Sequence, residues 1–199
     1  MPHYRRRQKP VAKHRVVSAT VGYPIKCPYI ISVDTREQAP FTFESITDFA
    51  TGARVLITTE RATVPSGDYS IRFHSAPIVV DWHDRVAVER KSMSDLFNSY
   101  LGDDREREER KLARLNELQF AAMVVEGTTA DLLSYRCRHM PAASDQGKRA
   151  EMLRNAVFKL TQSFPRVHWF FEPTIERAEE ATWRVLDWFY KNSLARTQQ

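Results

Sequence analysis

Charged residues able to do chemistry are concentrated in the stretch VAVERKSMSDL, which runs from Val86 to Leu96. Its apolar start predicts a strand, in which successive side chains point to opposite faces of the sheet. Glu89 and Lys91 therefore share one face, and Arg90 points to the other. A carboxylate beside an ammonium can serve a metal ion and a phosphate, or it can be an ordinary cross-strand salt bridge. The pair alone leaves both interpretations open.

Two aspartates in neighbouring segments extend this pattern. Asp34 ends the apolar run YIISVD, and Asp68 follows Gly67 at the start of an alternating segment. If these strands are neighbours, both aspartates converge with Glu89 at one edge of a sheet, where like charges repel unless a cation is bound. Mg²⁺ takes hard oxygen ligands and keeps waters that can act as nucleophiles. The set predicts metal-assisted phosphodiester hydrolysis, with Lys91 orienting the attacking water or offsetting charge on a phosphate.

Each acidic residue also has a structural interpretation when it is taken alone. Asp34 can accept hydrogen bonds from the loop that follows its strand, and Gly67-Asp68 can be a simple turn. Their occurrence together, in order and at positions compatible with one sheet edge, favours the metal site.

The elements that must position these residues follow from the periodicity of apolar residues. Before Lys91 the period is that of strands, and the segments 78–82 and 85–90 are predicted to form a hairpin. After Lys91 a helix capped by Ser92 or Ser94 follows, and helices then alternate with strands. The pattern predicts an α/β domain with a central mixed β-sheet flanked by helices on both faces. The predicted strands are 29–34, 54–60, 64–73, 78–82, 85–90, 120–127 and 167–171, and the longer helices are 103–118, 147–163 and 174–191.

Composition limits the class of protein and shows where the basic charge lies. A chain of 199 residues is long enough for one well-buried domain. No apolar run is long enough to span a membrane, and two cysteines without metal-ligand spacing suggest a reducing compartment. We therefore expect an intracellular protein, cytoplasmic in a prokaryote or virus and nuclear in a eukaryote. The net charge is +5, but the first 26 residues hold seven Lys or Arg and no acid, so the remainder is slightly acidic.

The basic segment predicts a flexible N-terminal tail over residues 1–27. Its charges can pair with phosphates without reading sequence, and it can equally be a solubilising leader or an organellar transit peptide. The candidate nucleic-acid-binding residues are Arg5, Arg6, Arg7, Lys9 and Lys13.

The segments VDTRE (33–37), SGDYSI (66–71) and VERKSMSDL (88–96) together resemble the nuclease domain of the XPF-type structure-specific endonucleases. That family has a GD dipeptide followed by ERKxxxD, and weaker similarity extends the resemblance over about 28–190. It implies a restriction-endonuclease-like fold over 28–192, with 193–199 as a short tail. It also implies dependence on Mg²⁺ or Mn²⁺, cleavage of branched or flapped DNA in repair or recombination, and a homodimer or heterodimer.

The resemblance also assigns roles to individual residues. It makes Asp68 and Glu89 metal ligands, Lys91 the catalytic lysine, and Asp34 a residue that helps to hold metal or water. Supporting residues carried over from the family motif are Arg36, Glu37, Arg90, Asp95 and Arg105. Asp95 lies at the start of the following helix and is expected to brace the site, toward Arg90.

Two departures from the family pattern leave alternatives open. Twenty residues separate Asp68 from Glu89, which indicates an inserted or extended hairpin at 72–85. A tandem helix-hairpin-helix module, common after such nucleases, is not expected in the eight residues after the last predicted helix.

The alternative function is a non-catalytic DNA-binding or scaffolding subunit. An enzyme acting on small phosphorylated metabolites is disfavoured because no glycine-rich phosphate loop is present.

The charged helix 103–118 also has two interpretations. Its arginines could follow a DNA backbone, but i,i+4 pairs such as Glu106–Arg110 favour a solvated face. The aromatic residues Trp183, Trp188, Phe189 and Tyr190 could stack on bases, although their helical spacing favours the core or a dimer interface.

Overall fold

The computed structural model describes residues 23–75, 78–101, 104–134 and 143–197. The predicted DNA-binding residues Arg5 to Lys13 lie outside these residues. The strands are β1 (Ile25–Asp34), β2 (Val55–Ala62), β3 (Tyr69–Ser75), β4 (Ile78–Asp81), β5 (Val86–Ser92), β6 (Phe120–Glu126) and β7 (Val167–Glu172). The helices are α1 (Met93–Leu101), α2 (Arg105–Glu117), α3 (Thr129–Ser134), α4 (Ala143–Ser163) and α5 (Ile175–Thr197).

The seven strands form one mixed sheet in the order β2-β1-β3-β5-β6-β7, with β4 paired to β3. β1 is parallel to β2, and β5, β6 and β7 are parallel to one another. β3 runs antiparallel to both β1 and β5. The carboxyl ends of β1 and β5 and the start of β3 therefore meet at one edge of the sheet, which brings Asp34, Asp68 and Glu89 toward one place.

Apolar side chains cover both faces of the sheet. Val86 and Val88 of β5 join the cluster under α5, whereas Ala87 joins the cluster under α1, α2 and α4. The alternation continues past Val88, so Glu89 and Lys91 point toward the α2 side and Arg90 toward the α5 side. Helices thus pack on both faces of a mixed sheet, as the sequence predicts.

The predicted hairpin between 78–82 and 85–90 is wrong in its pairing. β4 pairs with β3, from Arg72↔Asp81 to Ser75↔Ile78, and does not pair with β5. Asp81 accepts hydrogen bonds from Arg72 and from the backbone of His83, which turns the chain away from β4 before β5 begins. The hairpin β3–β4 lies where the sequence indicated an extension.

Element boundaries differ from prediction at both ends of the domain. β1 begins at Ile25, inside the segment predicted as tail, and α5 continues to Thr197. The short helix α3 was not predicted. Within the described residues, no helix combines the length and hydropathy needed to cross a membrane.

Candidate active site

Gly67 places Asp68 between two strands. Its φ is +84°, a left-handed conformation, and a Cβ built there would lie 3.0 Å from both Ala87 Cβ and the carbonyl oxygen of Val88. The backbone N–H of Asp68 donates to that carbonyl at 2.8 Å, and the Asp68 carbonyl accepts from the N–H of Asp34 at 2.8 Å. The glycine is thus required by conformation and by close approach, and the turn fixes Asp68 beside the ends of β1 and β5.

Replacing Gly67 by alanine is expected to destabilise the fold by roughly 2–4 kcal/mol, since a left-handed φ and an overpacked contact each add about 1–2 kcal/mol. Gly52 is the matched control, because its φ is +66° and no atom lies within 4 Å of a Cβ built there. Gly52→Ala then reports the conformational part alone. Urea unfolding of both variants measures the difference, and equal losses would contradict the close-approach argument.

Asp68 and Glu89 form a pair of like charges in a buried setting. Glu89 is 4% exposed, and Asp68 is half-buried with its Oδ2 accepting the backbone N–H of Arg90 at 2.8 Å. Burial, followed by the charge of Glu89, raises the pKa of Asp68 to about 7. Burial also raises the pKa of Glu89, although Lys111 acts in the opposite direction. Two such carboxylates are electrostatically costly in the absence of a cation.

This cost predicts a pH-dependent gain in stability for Asp68→Asn. A folded-state pKa of about 7, above the unfolded value, means that stability is full at low pH and is lost as the pH rises through 7. The asparagine removes that loss while its oxygen can still accept the Arg90 N–H. We expect a gain on the order of 2–4 kcal/mol at pH 8 that shrinks toward pH 5.

Unfolding free energies at both pH values test the Asp68 prediction. Asp84→Asn is the control, because this exposed aspartate gives the same change in net charge. A difference between Asp68→Asn and the parent that does not vary with pH would contradict the expected repulsion.

Two crossed ion pairs join β5 to α2. The ammonium of Lys91 lies 2.7 Å from Glu108 Oε2, and that of Lys111 lies 2.6 Å from Glu89 Oε1. Lys91 and Glu108 are almost fully buried, whereas the Lys111 side chain is 27% exposed. The interpretation of α2 as a solvated face is therefore wrong at Glu108 and Lys111, although Glu106 and Arg110 do form an exposed pair.

Asp34 is engaged by the loop that follows β1. Its Oδ1 accepts from the backbone N–H and Nε of Arg36, and its Oδ2 accepts from Arg36 Nη2 and the backbone N–H of Val64. Burial alone would raise the pKa of Asp34, but these hydrogen bonds hold it below its ordinary value. The carboxylate is thus fully occupied by protein donors, and it places Arg36 within electrostatic reach of Asp68 and Glu89.

Arg90 ties three segments together on the opposite face. Its guanidinium hydrogen-bonds Glu126 at the end of β6 and the carbonyl of Ala39, and it lies 3.6 Å from Glu37. It also stacks over the ring of Phe41 at 4.2 Å. Arg90 and Glu37 therefore support the loop between β1 and β2, and the charge of Glu37 also raises the pKa of Asp68.

Glu179 of α5 clamps that loop from the other side. Its buried carboxylate accepts the backbone N–H of Phe43 and lies within hydrogen-bonding distance of the hydroxyls of Thr42 and Ser45. Phe43 has a φ of +58°, which is uncommon for a residue with a side chain. The clamp offsets this strain and fixes the segment that carries Arg36 and Glu37.

Asp95 and Arg105 do not join the cluster. Asp95 accepts from the hydroxyl of Ser92 at 2.7 Å, and Ser92 Oγ accepts the backbone N–H of Asp95 at 3.1 Å, so the two cap α1. The expectation that Asp95 reaches Arg90 is wrong, because Arg90 pairs with Glu126 and Glu37. Arg105 pairs with Glu109 along α2 and is half exposed.

The residues at the sheet edge suit a divalent cation in donor chemistry. Asp68 and Glu89 supply carboxylate oxygens, and Mg²⁺ is commonly held by one or two carboxylates with waters and substrate phosphates completing its ligands. No group of three or more potential ligands comes together in the part of the chain that the structure describes. Because Asp34 is occupied by Arg36, this geometry favours two ligands, and the prediction of Asp34 as a third remains unsupported.

Sequence reasoning missed Glu108 and Lys111 as members of the site. A signal was available, since Glu108, Lys111, Leu112 and Leu115 follow helical spacing and share the face that packs on the sheet. The i,i+4 charge pairs on the same helix favoured a solvated face and hid this signal. Glu126, at the end of β6, pairs with Arg90.

Comparisons with known proteins agree with this fold. A family model described as the ERCC4 domain matches residues 33–176, which is most of the chain. The chain therefore belongs to the ERCC4 domain family, and the resemblance to XPF-type nucleases is confirmed. No curated protein matches the chain significantly.

Two solved structures of a family relative were also compared. XPF from Aeropyrum pernix is 23% identical with a TM-score of 0.45, covering 85% of this chain and 61% of that one. XPF from Aeropyrum pernix in complex with DNA is 20% identical with a TM-score of 0.50, covering 81% and 65%. The second likeness supports the predicted fold. The chain spans less than two thirds of the length of the relative in each of these structures.

Proposed function

We propose that this protein is a Mg²⁺- or Mn²⁺-dependent endonuclease that hydrolyses phosphodiester bonds in branched or flapped DNA, in repair or recombination. One observation carries the proposal, namely that the half-buried Asp68 and the buried Glu89 lie together at the edge of the sheet, with Lys91 on the same strand face as Glu89. Membership of the ERCC4 domain family supports it, as does the DNA in one of the relatives' structures.

Each side chain has a role in this proposal. Asp68 and Glu89 would hold the cation. When bound, the cation would polarise a phosphate oxygen of the substrate and lower the pKa of a bound water. Lys91 offsets negative charge on the phosphate, and Glu108 holds its ammonium in place until substrate arrives. Asp34 orients Arg36 toward the same edge, where the guanidinium can contact a phosphate. Arg90 and Glu37 keep that loop in register with β5.

DNA affinity is proposed to come mainly from phosphate contacts. Such contacts position a duplex without reading its sequence, which suits a structure-selective enzyme. The basic residues Arg5, Arg6, Arg7, Lys9 and Lys13 are the candidates in the N-terminal segment.

A second nuclease chain is proposed to dock beside α5 and β7. β7 is the last strand of the described sheet, and next to it lies a cavity of about 480 Å³ lined by apolar and charged side chains together. Trp183 is buried in the core, but Trp188 is 59% exposed at the cavity wall. An exposed tryptophan beside an unpaired strand edge is typical of a protein interface. The candidate contact residues are Phe120, Phe170, Val185, Trp188 and Arg196.

A panel of flap, splayed-arm, junction and linear DNAs, incubated with Mg²⁺ or with EDTA, tests the proposal. We expect cleavage near branch points that EDTA abolishes, with little cutting of linear duplex. A mass measurement in solution, with and without DNA, gives the oligomeric state. Tight binding of branched DNA without cleavage under all metal conditions would favour the alternative, a scaffolding subunit of a heterodimeric nuclease.

A further inference from the structure

Lys111 occupies an unusual position for a helix lysine. Its ammonium lies 2.6 Å from Oε1 of Glu89, and its charge also acts on Asp68. These are the two carboxylates assigned above to the divalent cation. The family motif ends before α2, and nothing in the motif accounts for a positive charge at this point.

The charge balance explains why an ammonium is stable there. Asp68 and Glu89 repel each other in a poorly solvated site, and a cation between them removes that repulsion. Lys91 also lowers the pKa of Glu89 through its charge, but its ammonium makes its direct ion pair with the buried Glu108. Lys111 is thus the group that pairs directly with Glu89 in the absence of metal, and its charge also lowers the pKa of Asp68.

We infer that Lys111 stands in for the divalent cation and must leave Glu89 before a metal ion can bind, so that it sets the metal concentration the site requires. The inference rests on the proposed metal-dependent function. The two positive charges compete because a metal ion at Glu89 would lie within a few ångströms of the ammonium, where like charges repel strongly at low dielectric.

The lysine is able to leave. Its side chain is 27% exposed, so its ammonium can reach solvent, in contrast to Lys91 with 6% exposure. Glu108 lies one helical turn earlier on the same face of α2, and its charge also attracts Lys111. Lys111 is therefore a positioning residue that holds Glu89 ready in the metal-free protein and gives it up on metal binding.

Metal binding can be measured without any cleavage assay. The protein is titrated with Mn²⁺ at pH 8.5 in the absence of DNA, and free Mn²⁺ is followed by electron paramagnetic resonance. We expect Lys111→Met to lower the dissociation constant for Mn²⁺ about tenfold, the order expected when a charge-assisted hydrogen bond no longer has to be broken. Lys111→Gln should show the same direction.

Two controls locate the effect at this site. Lys159 is exposed on α4, and Lys159→Met gives the same change in net charge, so it should leave Mn²⁺ affinity unchanged. Adding Glu89→Gln to Lys111→Met should abolish the tightened binding. Thermal midpoints in EDTA show that each variant is folded.

The outcomes separate this inference from the proposed function. If the parent binds Mn²⁺ in a Glu89-dependent way and Lys111→Met binds no more tightly, Lys111 only holds the side chain of Glu89 in position. The competition between Lys111 and the metal ion is then refuted. If neither protein binds Mn²⁺, both the competition and the metal-dependent nuclease fail. Tight binding that appears only in Lys111→Met would confirm the competition in its strongest form.

Discussion

Glu89→Gln is expected to cleave branched DNA on the order of 10²–10³-fold more slowly than the parent while binding it with similar affinity, because the interactions lost are those that stabilise developing charge. Lys91→Met should show a loss of similar size. Glu89 is a buried carboxylate at the sheet edge, and Lys91 carries the buried ammonium two residues further along the same strand face. Neither is placed to provide much of the non-specific affinity for DNA.

Single-turnover cleavage and equilibrium binding of the same flap substrate measure the two effects separately. Lys91→Met leaves Glu108 buried without its partner, so Lys91→Met/Glu108→Leu is included to keep the region neutral. Glu106→Gln on the exposed face of α2 is the control for altered charge. If Glu89→Gln and Lys91→Met both cut as fast as the parent, the assignment of the site is wrong.

Glu108→Ala is expected to destabilise the protein by about 3–5 kcal/mol, because it leaves the ammonium of Lys91 buried without a partner. Both side chains of this pair are less than a tenth exposed, and they join the central strand β5 to α2. The double replacement Lys91→Met/Glu108→Leu should recover most of that loss, since a well-packed apolar pair can be as stable as a buried ion pair.

Urea unfolding of the single and double variants measures the recovery. Glu106→Ala serves as the control, because its pair with Arg110 is exposed and such pairs contribute about 0–1 kcal/mol. A loss after Glu108→Ala no greater than that after Glu106→Ala would show that Lys91 finds water or another acceptor. The recovered double variant should remain inactive, which would assign Lys91 to chemistry and not to stability.

Much of the fold could be predicted because the sheet alternation and the helix periodicity are local properties. The burial pattern of β6, FAAMVVE, and the stripe of Leu112 and Leu115 on α2 are strong signals of this kind. The pairing of β4 was not predictable in the same way. No turn dipeptide marks 82–85, and β4 pairs with β3, where Asp81 also contacts Arg72 across the hairpin.

The parts of the site that depend on residues close together in the sequence could be predicted. The Gly67-Asp68 turn and the Glu89–Lys91 alternation follow from backbone geometry. The assignment of Asp95 failed although a local rule covered it, since serine followed three residues later by an acid is the pattern of a helix cap. The partners of Glu89 and Lys91 depend on how α2 rotates against the sheet, and long-range packing fixes that rotation.

The Glu179 clamp has a consequence for the order in which the protein is completed during synthesis. The residues of the candidate active site lie between Asp34 and Lys111 in the sequence, and all of them leave the ribosome before α5 is made. Until α5 docks, the backbone N–H of Phe43 lacks the carboxylate that holds the loop carrying Arg36. A nascent chain therefore carries the whole cluster in an unfinished form, and the last helix completes it.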